Sequence, residues 1–80
     1  MIELYIWTSC PFCQKVLRAA DEMGLKEDVH YKVIDGAPGT TGRDVVEKRG
    51  GKAMVPFLID GETAMYESDD IISYLKKVKK

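Results

Sequence analysis

The sequence predicts an α/β fold in which three helices cover a four-stranded mixed sheet. Segments with strand-like and helix-like apolar periodicity follow one another in the order β-α-β-α-β-β-α. The first half is therefore a β-α-β unit, which pairs its strands in parallel, whereas Asp60-Gly61 indicates an antiparallel hairpin in the second half. Eighty residues suffice for one small domain, so residues 1–80 are predicted to fold as a unit.

The first predicted strand and the first predicted helix meet at a pair of cysteines. Residues 2–7 have the composition of a strand, and residues 11–24 carry apolar side chains at helical spacing. Pro11 suits the first helical position, where its missing N–H is not needed, and Gly24 is a stop signal. The apolar face of this helix consists of Val16, Leu17, Ala20 and Met23.

Two further elements complete the first half. Residues 29–34 alternate between apolar and polar side chains and predict the second strand. Residues 35–42 are rich in Gly, Pro, Asp and Thr and predict a loop. A short helix is expected over residues 41–49, ending at Gly50-Gly51.

The second half is predicted to be a hairpin followed by a helix. Residues 56–59 and 63–66 are its two strands, joined by the turn at Asp60-Gly61. Ser68 is predicted to cap the last helix, whose first turn is acidic and whose end is rich in lysine, as the helix dipole favours. Its apolar face consists of Ile71, Ile72, Leu75 and Val78.

Composition excludes several classes of function. Twelve basic residues against 13 acidic ones leave no strongly basic face for a nucleic acid. No apolar run approaches the ~20 residues of a membrane span. The charged and then apolar pattern of a secretory signal is absent from the N-terminus. We expect a cytoplasmic monomer that binds neither nucleic acid nor membrane.

The motif Cys10-Pro11-Phe12-Cys13 carries the chemistry. A bridge across so short a loop adds little stability, so the pair is predicted to be redox-active or metal-binding. A tetrahedral zinc site needs about four ligands, and His30 is the single histidine, so no metal is expected. The start of a helix favours the thiolate of Cys10, and Cys13 lies one turn away. A CxxC beside a β-α-β unit is typical of the thioredoxin-like architecture.

Three motifs, in this order, resemble those of glutaredoxins: Cys10-Pro11-Phe12-Cys13, Met54-Val55-Pro56 and Glu67-Ser68-Asp69-Asp70. The resemblance covers nearly the whole chain and implies a thioredoxin-like fold with glutathione as co-substrate. It makes Cys10 the nucleophile of thiol–disulfide exchange and Cys13 the thiol that resolves the mixed disulfide. The implied partners are disulfide-containing or glutathionylated proteins.

The resemblance also implies where glutathione lies. In glutaredoxins it occupies a groove between the CxxC and the last helix, beside a cis proline that corresponds to Pro56. The backbone of Val55 would pair with the cysteinyl part of glutathione, and Ser68 and Asp69 would hold the γ-glutamyl end. The residues implied to contact glutathione are Phe12, Val55, Pro56, Glu67, Ser68 and Asp69. Lys15 and Lys52 are candidates for positive potential in the groove, and Lys52 is preferred.

The sequence departs from the glutaredoxin pattern at two places. Tyr66 and Glu67 stand where glutaredoxins often have two glycines, and Met54 stands where many have threonine. The pair Glu67-Ser68 instead resembles the glutathione site in the N-terminal domain of glutathione transferases. A stand-alone transferase is not expected, because the helical second domain of those enzymes is absent from this sequence.

Two alternatives to a glutathione-dependent glutaredoxin stay open at this point. One is a glutaredoxin-like redoxin that takes electrons from thioredoxin reductase and serves ribonucleotide reductase. The other is a non-catalytic module that binds glutathione or shares an iron–sulfur cluster in a dimer, although Pro11 disfavours a cluster by analogy with cluster-binding glutaredoxins.

Overall fold

The computed structural model describes residues 2–79, and their elements follow the predicted order. The strands are β1 (Ile2–Ile6), β2 (Tyr31–Asp35), β3 (Phe57–Asp60) and β4 (Thr63–Met65). The helices are α1 (Pro11–Glu22), α2 (Thr41–Gly50) and α3 (Ser68–Lys79). The predicted α/β class, a four-stranded mixed sheet with three helices, is confirmed. Within residues 2–79, no helix is long and apolar enough to cross a membrane.

Strand β1 lies inside the sheet, whose strand order is β2-β1-β3-β4. It pairs in parallel with β2, where Leu4 lies opposite Val33, and antiparallel with β3, where Leu4 lies opposite Leu58. The hairpin β3–β4 is antiparallel, as the turn signal predicts. A strand with neighbours on both sides and helices on both faces is buried almost throughout, which explains the apolar composition of β1.

The two faces of the sheet carry separate core clusters. Successive side chains of a strand point to opposite faces, so Leu58 packs with α1 and α3 while its neighbours Phe57 and Ile59 pack with α2. The fully buried members of the first cluster are Leu4, Cys13, Val16, Ala20, Leu58, Ile71 and Leu75. The second cluster consists of Tyr5, Val46, Phe57 and Ile59.

The end of α1 is set by Gly24, as predicted. Gly24 has a φ of +81° and donates its N–H to the carbonyl of Asp21, and Leu25 donates to Ala20, each at 3.0 Å. These two bonds form a Schellman motif, which satisfies carbonyls that the last turn leaves free. The helix itself ends at Glu22, two residues before the predicted boundary.

Strand β2 begins two residues later than the predicted start at residue 29. Asp28 has a φ of +65°, and Val29 and His30 both donate their N–H to the carbonyl of Lys26. His30 also accepts the N–H of Lys26 on Nδ1 at 2.9 Å, which closes a turn. The alternation in the sequence could not reveal this turn, because it depends on the backbone at Asp28. His30 is exposed.

We predict that Gly42→Ala destabilises the domain. In an exposed helix, alanine is favoured over glycine by about 1 kcal/mol. Here a Cβ at Gly42 would overlap the backbone carbonyl oxygen of Asp35, which cannot rotate away. We therefore expect a loss of about 1–3 kcal/mol in the free energy of unfolding in urea. The control is Thr41→Ala, an exposed neighbour, which should stay within about 0.5 kcal/mol of the wild type. A Gly42→Ala protein as stable as the wild type would contradict this packing.

Candidate functional site

The first cysteine occupies the junction between β1 and α1. Cys10 is the N-cap residue of α1, with an extended backbone (φ −94°, ψ 116°), and Pro11 is the first helical residue, as predicted. The N–H of Cys10 donates to the carbonyl of Trp7 at 2.9 Å, and its own carbonyl accepts the N–H of Gln14 at 3.2 Å. The turn after β1 and the first turn of the helix thus fix the backbone of Cys10 from both sides.

The thiol of Cys10 points toward the loop before β3. Its Sγ lies 3.8 Å from the backbone carbonyl oxygen of Val55, to which it donates. Within residues 2–79 it accepts no hydrogen bond from the first N–H groups of α1, so the contact expected from its N-cap position is not formed. The side chain is partly exposed, and a reagent can reach the sulfur.

The thiol of Cys13 is in a different environment. It lies one turn further along α1 and is 0 % exposed. Burial raises the pKa of this thiol to about 12, although the N–H of Trp7 donates to Sγ at 3.4 Å and opposes that shift. Neither cysteine is in a disulfide. The arrangement therefore offers one accessible thiol and one that external reagents do not reach.

A groove of about 230 Å³ lies beside the cysteines. It runs between the start of α1, the loop before β3 and the start of α3. Its lining residues are Phe12, Lys15, Met54, Val55, Pro56, Glu67, Ser68 and Asp69. All six residues for which the resemblance implies glutathione contacts are among them, as is the candidate Lys15, and the structure adds Met54. Phe12 is 61 % exposed and forms a lip of the groove.

The loop that leads into β3 forms one wall. The peptide bond between Val55 and Pro56 is cis, as the resemblance implies. Pro56 is buried and Val55 is half-buried. The Val55 carbonyl lies beside Cys10 Sγ, so the backbone of this loop borders both the groove and the accessible sulfur.

The start of α3 forms the opposite wall. The helix begins at Ser68 itself, so the prediction that Ser68 is its cap is wrong by one residue. Glu67 stands before the helix with a φ of +63°, and its carbonyl accepts the N–H of Ile71 at 3.0 Å. Ser68 is 8 % exposed and Asp69 is exposed. Unpaired N–H groups at a helix start attract negative charge, and Asp69 adds an anion beside them.

A cation also lies at the groove. Lys15 Nζ on α1 pairs with Asp69 Oδ1 on α3 at 2.7 Å. The two side chains are 51 % and 83 % exposed, so this pair contributes less than about 1 kcal/mol to stability. The preference for Lys52 is wrong. The backbone N–H and carbonyl of Lys52 both bond to the hydroxyl of Tyr66, and the residue does not line the groove.

Sequence reasoning missed Arg43 in α2. Its Nε donates to the carbonyl of Gly36 at 2.7 Å, and its guanidinium donates to the carbonyl of Ala53 at 2.6 Å. A partly buried arginine at the third residue of a helix carries no local signal for such bonds, because both partners lie in other segments. Among residues 2–79, no group of three His, Cys, Asp or Glu side chains could hold a metal ion.

Solved structures of two kinds resemble this fold. The glutathione transferase BmGSTD1 of Bombyx mori superposes with a TM-score of 0.78 at 21% identity, over 98% of this chain and 36% of that one. A theta class glutathione S-transferase of Xanthomonas axonopodis pv. citri gives 0.72 at 27% identity, over 95% and 36%. The glutaredoxin of Archaeoglobus fulgidus gives 0.68 at 18% identity, over 90% and 82%. The chain thus spans about a third of the length of these transferases.

Comparison with curated protein sequences finds no match. A family profile does match, over residues 4–79, and its description is "Glutathione S-transferase, N-terminal domain". That family has the thioredoxin-like architecture which the sequence predicts and the sheet order shows. Because the match covers nearly the whole sequence, the chain belongs to the glutathione S-transferase N-terminal domain family.

Proposed function

We propose that this domain is a glutathione-dependent thiol–disulfide oxidoreductase of the glutaredoxin kind. The observation that carries the proposal is the environment of the two thiols. Cys10 is partly exposed beside a groove, and Cys13 is fully buried one turn further along the same helix. Two-step disulfide exchange needs an accessible nucleophile and a second thiol that only the first can reach.

The proposed reaction with a protein disulfide has two steps. The Cys10 thiolate attacks one substrate sulfur, forms a mixed disulfide, and releases the other substrate sulfur as a thiolate that takes up a proton. Cys13 then gives its proton to solvent and attacks Cys10 Sγ. A Cys10–Cys13 disulfide forms, and the second substrate thiolate leaves. Two electrons pass from the dithiol to the substrate.

Glutathione is proposed to return these electrons. A first glutathione thiolate attacks Cys10 Sγ, breaks the Cys10–Cys13 bond and leaves Cys13 as a thiolate that takes up a proton. A second glutathione thiolate attacks the glutathione sulfur of this mixed disulfide, which releases glutathione disulfide and leaves Cys10 as a thiolate. Glutathionylated proteins would follow a shorter route, in which Cys10 takes the glutathione moiety directly and Cys13 has no role. Disulfide-containing and glutathionylated proteins, in the cytoplasm, are the proposed partners.

The groove supports glutathione as the ligand. An extended peptide along the Val55 backbone would carry its cysteine sulfur past Cys10, which lies beside the Val55 carbonyl. The γ-glutamyl carboxylate would meet the N–H groups at the start of α3 near Ser68, and its ammonium would meet Asp69. That ammonium would replace Lys15 at Asp69, at little cost because the existing pair is exposed. The Xanthomonas relative was solved with glutathione bound.

A second candidate is transfer of glutathione to an electrophile. The family match favours it, because the family is named for transferases. In that reaction the groove would hold glutathione while its own sulfur attacks the second substrate. Cys13 would then have no role, so the two candidates differ in what they require of the buried thiol.

We predict that substitutions of Cys10 and of Cys13 differ in their effects on reduction of protein disulfides and on deglutathionylation. Cys10→Ser should lower both by about two orders of magnitude or more, because the nucleophile is lost. Cys13→Ser should lose reduction of a protein disulfide but keep deglutathionylation of a glutathionylated peptide. Both are measured by coupled NADPH oxidation with glutathione reductase, and Ser9→Ala, an exposed neighbour, is the control. Equal loss of both reactions in a folded Cys13→Ser protein would contradict the assigned roles.

We predict that the two thiols differ in alkylation. With iodoacetamide at pH 7, Cys10 in the Cys13→Ser variant should react at least about 100-fold faster than Cys13 in the Cys10→Ser variant. The raised pKa of Cys13 keeps its thiol protonated, so its rate should climb about tenfold per pH unit between pH 7 and pH 9. Mass spectrometry of labelled peptides gives both rates. Similar rates at pH 7 would refute the separation of an accessible from a sheltered thiol.

We predict that the protein takes its electrons from glutathione and does not conjugate glutathione to an electrophile. Turnover of a disulfide substrate should be supported by glutathione with glutathione reductase, and not by thioredoxin reductase with NADPH. Conjugation of glutathione to 1-chloro-2,4-dinitrobenzene, followed by absorbance, should stay at the uncatalysed rate. Turnover with thioredoxin reductase alone would instead support the redoxin alternative, and conjugation that survives in Cys10→Ser and Cys13→Ser would support the transferase.

A further inference from the structure

The loop between α2 and β3 is held at two consecutive residues by the side chains of Tyr66 and Arg43. At Lys52, the Tyr66 hydroxyl donates to the carbonyl at 2.6 Å and accepts the N–H at 3.0 Å. At Ala53, the Arg43 guanidinium donates to the carbonyl at 2.6 Å. The loop itself is exposed from Gly51 to Met54, so these bonds tie a solvent-facing segment to the body of the domain.

Tyr66 is itself fixed by the core. Its ring packs against Phe57 with centroids 4.6 Å apart, and its hydroxyl also lies 3.3 Å from the carbonyl of Val46. A Cβ at Gly50 would overlap the hydroxyl and the ring, so only glycine leaves space for the side chain there. Tyr66 stands where glutaredoxins often have a glycine. A glycine at this position could not form the hydroxyl bonds to the backbone of Lys52.

Arg43 holds both backbone segments that flank Val55. One is Ala53, two residues before it, and the other is Gly36, whose carbonyl accepts Arg43 Nε. Gly36 lies directly against Val55, since a Cβ on it would be 2.9 Å from Val55 Cγ1. Val55 in turn places its carbonyl 3.8 Å from Cys10 Sγ. A short chain of contacts thus runs from Arg43 to the accessible sulfur.

We propose that Arg43 and Tyr66 are positioning residues that fix the backbone of Val55 beside Cys10 and along the groove. This inference rests on the proposed function, because the backbone of Val55 is the strand-like partner proposed for the glutathione moiety. Neither side chain lines the groove, and the Cys10 sulfur bonds to the carbonyl of Val55. Their loss should therefore weaken use of the ligand and spare the intrinsic reactivity of Cys10.

The test compares matched pairs of variants. Tyr66→Phe removes one hydroxyl and keeps the ring on Phe57, and its control is Tyr74→Phe, which loses a hydroxyl bonded to Asp60. Arg43→Gln is matched by Arg49→Gln, which loses a guanidinium bond to the carbonyl of Gly61 at 3.0 Å. Both controls lose bonds to the tip of the β3–β4 hairpin, at Asp60 and Gly61, and neither of these residues lines the groove.

Three quantities are measured for each variant: KM and kcat with the mixed disulfide of glutathione and 2-mercaptoethanol, the rate of Cys10 alkylation by iodoacetamide, and Tm. We expect KM to rise about 5-fold in Tyr66→Phe and about 10-fold in Arg43→Gln, with kcat and alkylation within about 2-fold of the wild type. Arg43→Lys, which can still reach one carbonyl, should recover part of the KM. Both control variants should keep the wild-type KM.

The inference is overturned if KM is unchanged in Tyr66→Phe and Arg43→Gln, or if the controls raise it equally at an equal loss of Tm. If the wild type itself neither binds nor turns over glutathione, the proposed function fails. The inference is then decided in the ligand-free protein by ¹⁵N relaxation. The order parameters of the Met54 and Val55 amides should be near 0.85 in the wild type and controls and below about 0.6 in the two variants. Unchanged order parameters would refute it.

Discussion

The placement of β1 inside the sheet is the constraint on which the rest of the molecule depends. Because β1 pairs with β2 on one edge and β3 on the other, its position and register cannot shift without moving apolar side chains out of two cores. Its last residue, Ile6, is only four residues from Cys10, and that connection is closed by the bond from Cys10 to Trp7. The sheet therefore fixes where α1 begins, and the start of α1 fixes where the sulfur lies.

The same geometry gives the two thiols their different environments. A helix that starts at Pro11 and packs on the sheet turns its third residue, Cys13, into the core while the N-cap residue stays at its edge. No further side chain is needed to make the two thiols different. One helical turn is enough, because it carries the chain from Cys10 at the edge of the core to Cys13 inside it. The groove beside the sulfurs combines the start of α1 with two segments far away in the sequence, the loop before β3 and the start of α3.

The parts that could be predicted from the sequence are those set by local signals. Pro11 at the first helical position, Gly24 at the end of α1 and Asp60-Gly61 in the hairpin each act within a few residues. The first two positions and the hairpin itself were predicted correctly, although Asp60 is the last residue of β3 and pairs with Thr63. The groove required a family resemblance, since its walls come from α1, the loop before β3 and α3. The choice between Lys15 and Lys52 failed, because it depends on contacts between residues up to 54 positions apart. Arg43 was missed because its two carbonyl partners, at Gly36 and Ala53, lie in other segments.

The family match and the dithiol motif describe different parts of one site. The groove is lined by the start of α1, by the loop at Val55 and Pro56 and by the start of α3, and it is the part proposed to hold glutathione in either reaction. Cys10 and Cys13 belong to α1, and a reaction that only conjugates glutathione would leave the buried thiol without use. A free cysteine in the core packs like any small apolar side chain, so packing alone gives no reason for a second cysteine at this position rather than alanine or valine. The two sulfurs together are therefore the stronger guide to the chemistry, and the groove is the stronger guide to the ligand.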